Sequence, residues 1–295
     1  MTTSKTAFVL VHGGWHNHSA WAKVVPLLEA QGFEAFARDL PGAGVHAIDP
    51  SSLDSVPFDL AAFAAEPSPS ARVTQEARTQ AVVALVRQAA ARCNGKVILV
   101  GHSAGGMTVS AVAEQVPNLL LAVVYLSGFM VPNGMSLLDM LQHESLSSAL
   151  SPGLFVGDSA AIGATRIHPR STDEAYRSLL RSSFYADVPE AELPHLVSQL
   201  HCDEPNVGAL APSPITPARF GSVPRHYIRC TLDRAIPLTG QDHMVAKVDA
   251  ALGSKTTTYT LESSHSPFLS QPAPLSKILI DIGVGSLAEH CAPAP

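Results

Sequence analysis

The chain is poor in charge and has no cluster of basic residues. Charged residues make up only 15% of its 295 residues, the formal net charge is −6, and Lys and Arg occur singly or in isolated pairs. Nucleic-acid binding requires a basic footprint, so this class of function is not expected. The hydrophobic fraction of 46% instead favours a globular protein with a large buried core over a disordered chain.

The sequence also lacks cysteine pairs and long apolar runs. Its four cysteines are spread along the chain without a C-x-x-C pair, at Cys93, Cys202, Cys230 and Cys291. We therefore expect reduced thiols, no disulfide framework and no zinc or other metal site. The first apolar run is too short to span a membrane and has no cleavage site of small residues, which predicts a cytoplasmic protein without a membrane anchor. The oligomeric state stays open, with a homodimer as one option.

Strand-like and helix-like patterns alternate along the first part of the chain. Continuous apolar runs of strand length are followed by segments with apolar residues at helical spacing. Strands are predicted at 7–12, 33–40, 96–101 and 119–128, and helices at 19–33, 71–93 and 104–116. Alternation of this kind predicts an α/β fold with a doubly wound, mostly parallel sheet.

Residues 131–222 interrupt the alternation, because they hold short helical patterns but no good buried strand. Alternation resumes with strands at 225–232 and 255–262 and helices at 237–252 and near 267–282. We predict an α/β-hydrolase-like core formed by 1–130 and 223–295, with 131–222 inserted as a helical cap.

A second irregular segment, 41–70, is rich in Pro, Ser, Asp and Gly, and is predicted to be a long functional or mobile loop.

Ser103 lies in Gly101-His102-Ser103-Ala104-Gly105, which fits G-x-S-x-G between a predicted strand and a predicted helix. A sharp turn at this motif strains the serine backbone and lifts the hydroxyl above the sheet, while the helix N-terminus favours negative charge. We interpret Ser103 as a nucleophile. The alternative is a glycine-rich turn in which the serine is passive.

A serine nucleophile needs a base and an orienting acid, and a doubly wound sheet presents both at the carboxyl ends of its strands. Among thirteen histidines, His265 directly follows the last predicted strand, and Asp233 directly follows the strand before it. The order Ser103, Asp233, His265 is that of α/β-hydrolases. Alternatives are Glu262 or Asp242 as the acid, or a helix-capping role for Asp233.

An oxyanion hole requires two backbone N–H groups aimed at the charge that develops in the transition state. We expect one from Ala104, which follows the nucleophile, and one from Gly14 in the loop after the first strand. The alternative is a plain glycine turn. The residues predicted to line a substrate pocket are Gly13, Trp15, His16, Met107, Phe129 and Met130, although core packing is an equal or better account of several of them.

The segments "FVLVHGGWHNHSAW", "VILVGHSAGG", "YIRCTLDRAIP" and "SSHSPFLSQP" resemble the methylesterase and hydroxynitrile lyase branch of the α/β-hydrolases, as does "FYADV" at 184–188. The resemblance implies a six-stranded parallel sheet, a Ser–His–Asp triad at Ser103, His265 and Asp233, and no cofactor. It also implies oxyanion donors at Gly14 and Ala104. The loop after "HGGW" and segment 41–70 are longer than in the plant proteins, so the substrate does not carry over.

The expected function is hydrolysis of a small, largely apolar carboxylic ester or lactone through an acyl-enzyme. A lyase or a cofactor-free oxygenase would use the same triad for acid–base chemistry, and a ligand-binding homologue would need no triad. Hydroxynitrile lyases of this branch carry a lysine after the catalytic histidine and a threonine in the first loop. Ser266 and Gly13 occupy these positions here, which favours the esterase.

Overall fold

Eight strands are present in the structure, a computed structural model that describes residues 6–93 and 95–291. They are β1 (Ala7–Val11), β2 (Glu34–Ala37), β3 (Val97–His102), β4 (Leu120–Leu126), β5 (Ala164–Arg166), β6 (Asp203–Pro205), β7 (Arg225–Cys230) and β8 (Thr257–Leu261). Six form one sheet in the order β2-β1-β3-β4-β7-β8, and every neighbouring pair is parallel. The predicted six-stranded α/β fold is confirmed.

Helices connect and cover these strands. They are α1 (Val25–Glu29), α2 (Leu60–Ala65), α3 (Gln75–Arg92), α4 (Gly105–Gln115), α5 (Leu137–Leu141), α6 (Ser159–Ile162), α7 (Glu174–Phe184), α8 (Leu193–Ser198), α9 (Asn206–Leu210), α10 (Leu238–Leu252), α11 (Pro267–Ser270) and α12 (Pro272–Cys291). Short 3₁₀ turns occur at His18–Trp21, Gly44–His46, Ser51–Asp54, Pro117–Leu119, Glu144–Leu146, Ser151–Leu154, Glu190–Glu192 and Phe220–Ser222. Within the described ranges, none of the helices combines the length and apolarity that a membrane crossing needs.

The two faces of the sheet are buried in separate apolar clusters. Successive side chains of a strand point to opposite faces, so Phe8 belongs to one cluster and Val9 to the other. All residues of β1, β3 and β4 are buried, which explains why these strands read as unbroken apolar runs. β8 is a less buried edge strand, where four of five residues keep contact with solvent.

Residues 131–222 connect β4 to β7, and they contain a strand pair that the sequence did not predict. β5 and β6 pair antiparallel, and Arg166 opposite Asp203 forms a buried ion pair with two N–O distances of 2.7 Å. Strands of three residues with polar side chains give no alternating apolar signal, so pattern analysis misses them. Leu180 and Phe184 of this segment pack in the same cluster as the sheet residue Phe8, and the division into core and cap stays a prediction.

Two further segments differ in detail from their prediction. The single helix predicted at 19–33 is a 3₁₀ turn followed by the short α1, which starts with Pro26 at its second position. Segment 41–70 is partly regular, because Asp59 caps α2 by accepting hydrogen bonds from the N–H groups of Ala61 and Ala62.

Candidate active site

Ser103 lies at the turn between β3 and α4, with a left-handed backbone φ of +51°. A non-glycine residue rarely adopts this conformation, so the turn must be held by its surroundings. The flanking glycines allow this: a Cβ on Gly101 would lie 2.7 Å from Val109, and one on Gly105 would lie 2.5 Å from the carbonyl oxygen of His12. The motif therefore forms the strained strand-to-helix turn that the sequence predicts, with the Ser103 side chain partly accessible.

His265 and Asp233 are joined by a hydrogen bond, in which His265 Nδ1–H donates to Asp233 Oδ2 over 2.6 Å. Both side chains are buried. The other carboxylate oxygen accepts hydrogen bonds from the N–H groups of Ala235 at 2.7 Å and Ile236 at 2.9 Å, and the Ser127 hydroxyl donates to Oδ2. The carboxylate is thus fixed from both sides and holds the imidazole in one orientation, with Nδ1 protonated.

His102 brings Ser103 next to this pair. Its Nε2–H donates to the carbonyl oxygen of His265 over 2.9 Å, and the two imidazole rings lie 4.6 Å apart. In the part of the chain that the structure describes, no hydrogen bond joins Ser103 Oγ to His265 Nε2. The structure therefore brings Asp233 and His265 into direct contact, and the residue that precedes Ser103 hydrogen-bonds the backbone of His265; the three catalytic roles stay predictions.

In two other histidines near Ser103, His12 and His16, both ring nitrogens form hydrogen bonds. His12 Nδ1–H donates to the carbonyl of Gly13, and its Nε2 accepts from the N–H of Leu40. His16 Nδ1–H donates to the carbonyl of Gly14, and its Nε2 accepts from the hydroxyl of Tyr185. Burial lowers the pKa of His12 to about 4 and the pKa of His16 to about 3, so both rings are neutral at physiological pH.

Burial and the neighbouring His265 also hold the pKa of His102 well below its usual range. Of the four buried rings at His12, His16, His102 and His265, only that of His265 hydrogen-bonds a carboxylate. A base needs such a partner to stabilise its protonated form. The surroundings therefore favour His265 over the other three histidines as the base.

The loop that follows β1 packs directly against the nucleophile. A Cβ on Gly13 would lie 2.8 Å from Ser103 Cβ, so only glycine allows this approach. No hydrogen bond between described residues uses the N–H groups of Gly14 or Ala104. These two N–H groups are the predicted oxyanion donors, and their role stays a prediction.

Trp15 and His16, predicted to line the pocket, lie between this loop and segment 131–222. The Trp15 ring packs against Phe155 and Phe184, with centroids 6.0 and 5.8 Å away. His16 lines a cavity of about 180 Å³ together with Tyr185. Both residues therefore join the predicted oxyanion loop to the predicted cap.

The three predicted pocket residues near α4 and β4 have different environments. Met107 and Phe129 are buried in a small apolar cluster that includes Met140, and Phe129 N–H donates to the Ser103 carbonyl over 3.0 Å. Met130 is fully buried in the sheet-face cluster that contains Val109. The burial of Met130 favours core packing, the alternative that the sequence offered, and its pocket role stays a prediction.

Two carboxylates near the site were not predicted. Asp187 accepts hydrogen bonds from Ser264 N–H at 3.0 Å, from the Ser264 hydroxyl, and from the Ser270 hydroxyl at 3.0 Å. Glu204 accepts one from Trp15 N–H at 3.3 Å and pairs with Arg78. Both form contacts between segments far apart in the sequence, so no local pattern predicts them. Only Asp187 lies in a segment that the sequence analysis singled out, the "FYADV" segment of the family resemblance.

Across the described residues, no group of three or more His, Cys, Asp or Glu side chains is arranged to hold a metal ion. Three described cysteines, Cys93, Cys202 and Cys230, form no disulfide, and the side chain of Cys291 lies outside the described residues. Burial raises the pKa of Cys230 well above its usual range. The thiol of Cys230 is therefore protonated at neutral pH and suits core packing.

Comparisons with known proteins match this chain to a hydrolase family and to proteins named as esterases or hydrolases. The model of the alpha/beta hydrolase family matches residues 8–278. Polyneuridine aldehyde esterase of Rauvolfia serpentina is 27% identical over 295 residues, covering 93% of this chain and 94% of that protein. The crystal structure of a pyrethroid hydrolase from Sphingobium faniae superposes with a TM-score of 0.74 at 23% identity, over 95% of this chain and 98% of that one.

Three chloroplastic relatives, numbered 11, 13 and 15 in the methylesterase series of Arabidopsis thaliana, are 28–29% identical over 276–280 residues. The match covers 93% of this chain. The chain spans only 55–63% of the length of these relatives.

Proposed function

The chain belongs to the alpha/beta hydrolase family, and we propose that it hydrolyses a carboxylic ester or lactone of a small, largely apolar substrate through an acyl-enzyme on Ser103. The observation that carries the proposal is the buried hydrogen bond of 2.6 Å between His265 and Asp233, beside a serine held at a left-handed turn. Relatives described as esterases and hydrolases support the same class of reaction.

In the first half of the proposed reaction, the Ser103 hydroxyl attacks the ester carbonyl carbon and transfers its proton to His265 Nε2. The negative charge that develops on the carbonyl oxygen is stabilised by the N–H groups of Gly14 and Ala104 and by the N-terminus of α4. The intermediate collapses when the carbon–oxygen bond to the leaving alcohol breaks, and His265 returns the proton to that oxygen.

In the second half, a water molecule repeats these steps on the acyl-enzyme. It gives a proton to His265, attacks the acyl carbon, and releases the carboxylic acid as Ser103 recovers its proton. Asp233 stabilises the imidazolium that forms in both halves, because its fixed carboxylate faces Nδ1. Neutral His12 and His16 add no positive charge that would oppose this protonation.

The apolar character of the proposed substrate rests on the side chains around the loop after β1. The rings of Trp15, Phe155 and Phe184 form an aromatic wall, and the imidazoles beside it are neutral. Such a wall excludes water and favours an uncharged acyl or alcohol group.

The test combines covalent labelling with turnover. A fluorophosphonate should label wild-type protein on Ser103, and Ser103→Ala should lose both labelling and at least about 10³-fold in kcat on p-nitrophenyl acetate. Ser147→Ala, at an exposed serine of segment 131–222, is the matched control and should keep both. Near-normal turnover by folded Ser103→Ala would contradict the serine mechanism.

A further inference from the structure

Trp15 follows the proposed oxyanion donor Gly14, and three of its groups are bound by segment 131–222. Its N–H donates to Glu204 Oε2 at 3.3 Å, and its carbonyl accepts from the N–H of His201 at 3.1 Å. Its indole Nε1–H donates to the carbonyl of Thr165 at 3.0 Å. All three partners lie in the β5–β6 pair or directly before it, so one small structural unit holds this residue.

The backbone of Trp15 needs such support. Its φ is +60°, in the left-handed region that a bulky residue avoids. Without external contacts, the loop would relax to another conformation, and the peptide groups of Gly13 and Gly14 would rotate with it. The hydrogen bonds from β5 and β6 therefore influence where the Gly14 N–H points.

Glu204 lies close to the glycine itself. A Cβ built on Gly14 would be 3.6 Å from the Glu204 carboxylate carbon, which places the carboxylate in van der Waals range of the loop. A negative charge here would repel the oxyanion that forms in the transition state. Arg78 of α3 removes this conflict, because its guanidinium pairs with Glu204 while its Nε–H donates to the carbonyl of Pro41 at 3.1 Å.

The pair is buried, with side-chain exposures of 8% for Arg78 and 14% for Glu204. Burial alone would raise the pKa of Glu204, but Arg78 and His201 hold this pKa well below its usual range. The carboxylate is thus ionised and stays a hydrogen-bond acceptor for Trp15 N–H at neutral pH.

We propose that Glu204 is a positioning residue for the oxyanion hole: it fixes the left-handed Trp15 and so aligns the Gly14 N–H, while Arg78 neutralises its charge. The inference rests on the proposed function. It makes the β5–β6 pair of the predicted cap part of the catalytic apparatus.

Two substitutions at Glu204 separate alignment from stability. Glu204→Gln keeps an acceptor for Trp15 N–H, whereas Glu204→Ala removes it, and both leave the buried Arg78 without its ion-pair partner. Both should lower the unfolding free energy measured in urea. Only Glu204→Ala should lower kcat, by at least about 10-fold with KM within about 3-fold, as loss of transition-state stabilisation requires.

A boronic acid that forms a tetrahedral adduct with Ser103 gives a second readout. Its dissociation constant should rise in parallel with the fall in kcat/KM, while the apparent pKa of the kcat/KM profile should not move. If Glu204→Ala fails to fold, Arg78→Met/Glu204→Leu avoids an unpaired buried charge and still lacks the acceptor, so it should show the same loss of kcat.

Glu114 provides the matched control. It is a mostly buried carboxylate at the C-terminal end of α4, whereas Ser103 precedes the N-terminal end. Glu114 accepts hydrogen bonds from the N–H groups of Thr216 at 2.9 Å and Phe220 at 3.1 Å. Glu114→Ala should lose stability and keep kcat.

Equal kcat losses in Glu204→Gln and Glu204→Ala, or wild-type kcat in folded Glu204→Ala, would overturn the positioning role alone. A wild-type protein without Ser103-dependent ester hydrolysis or labelling would overturn the proposed function and this inference together.

Discussion

Glycine at position 13 is required by contact with the nucleophile. A methyl group there would lie 2.8 Å from both Ser103 Cβ and His102 Nδ1, closer than real Cβ atoms approach. Gly13→Ala should therefore displace the loop after β1 and lower kcat by at least about 10-fold, since small misplacements at a reacting centre have large kinetic effects. Steady-state kinetics on p-nitrophenyl acetate measure this.

The control for Gly13→Ala is Gly285→Ala in α12, where an added Cβ meets nothing within 4 Å. This change should keep kcat and stabilise the helix by up to about 1 kcal/mol. Unchanged kcat in Gly13→Ala would contradict the close packing of this loop on Ser103.

His12 and His16 are among the buried histidines that make stability depend on pH. The pKa of His12 is lowered to about 4 and that of His16 to about 3, mainly by burial, whereas an unfolded histidine titrates near 6.5. Below pH 6.5 the unfolded chain binds more protons than the folded one, so the unfolding free energy should fall as pH drops from 6.5 towards 4. The slope approaches about 1.4 kcal/mol per pH unit for each group.

Urea unfolding at pH 4.5, 5.5, 6.5 and 7.5 measures this slope. His16→Gln removes one of these groups and should reduce the slope by up to about 1.4 kcal/mol per pH unit, the contribution of one proton. The same slope in wild type and His16→Gln would show that His16 does not titrate between these states as its burial implies.

The residues that carry the proposed chemistry could be predicted because their positions obey general rules. Ser103 lies in a motif whose glycines are needed for a tight strand-to-helix turn to close, and Asp233 and His265 directly follow strands of a parallel sheet. Ser127 and Glu204 could not be predicted in the same way. Their contacts with Asp233 and Trp15 join segments about a hundred residues or more apart, and no local pattern encodes them.

At the scale of elements, residues at and just after the C-terminal end of α7 contact the loop that carries His265. The Phe184 ring lies 5.9 Å from the His265 ring, and Asp187 binds the backbone N–H of Ser264 as well as the hydroxyl of Ser270. Asp187→Ala should release this loop and lower kcat on p-nitrophenyl acetate about 10-fold, because the imidazole loses its fixed position.

Asp173 is the matched control, since it caps the other end of the same helix by accepting from Tyr176 N–H at 2.7 Å. Asp173→Ala should lower the unfolding free energy by about 1 kcal/mol and leave kcat unchanged. If the two variants had the same kinetics, Asp187 would serve only to hold the fold.

The strands of the main sheet could be predicted from the sequence, whereas the short pair β5–β6 could not. β1, β3 and β4 are buried throughout, so their apolar runs were unambiguous. β5 and β6 have three residues each, and their pairing includes the buried Arg166–Asp203 ion pair rather than an apolar stripe. A charge pair between distant segments has no periodicity from which to predict a strand.

At the scale of the whole molecule, segment 131–222 and the sheet share one apolar cluster and several polar contacts. Tyr185 binds His16, Asp187 binds Ser264, and Glu204 binds Trp15, so this segment contacts both loops that flank Ser103. The division into core and cap stays a prediction, and these contacts connect the segment to the residues of the proposed site. Changes in this segment should affect catalysis and stability as well as preference.

The proposed reaction class can be tested against the lyase alternative through the residue after His265. Ser266 is fully buried, and its hydroxyl has no hydrogen-bond partner among the described residues, so this position supplies no positive charge to a departing cyanide. Lys23, in the 3₁₀ turn region before α1, is exposed and paired with Glu192 at 2.7 Å. A tetrahedral acyl intermediate needs no such cation, because two backbone N–H groups take its charge.

We therefore expect p-nitrophenyl acetate hydrolysis and no enzymatic cleavage of mandelonitrile, measured side by side with correction for spontaneous decay. Ser266 is fully buried, so a lysine charge at this position would be costly unless it were paired. Mandelonitrile cleavage that exceeds ester turnover and disappears in Ser103→Ala would assign the same three residues to lyase chemistry instead.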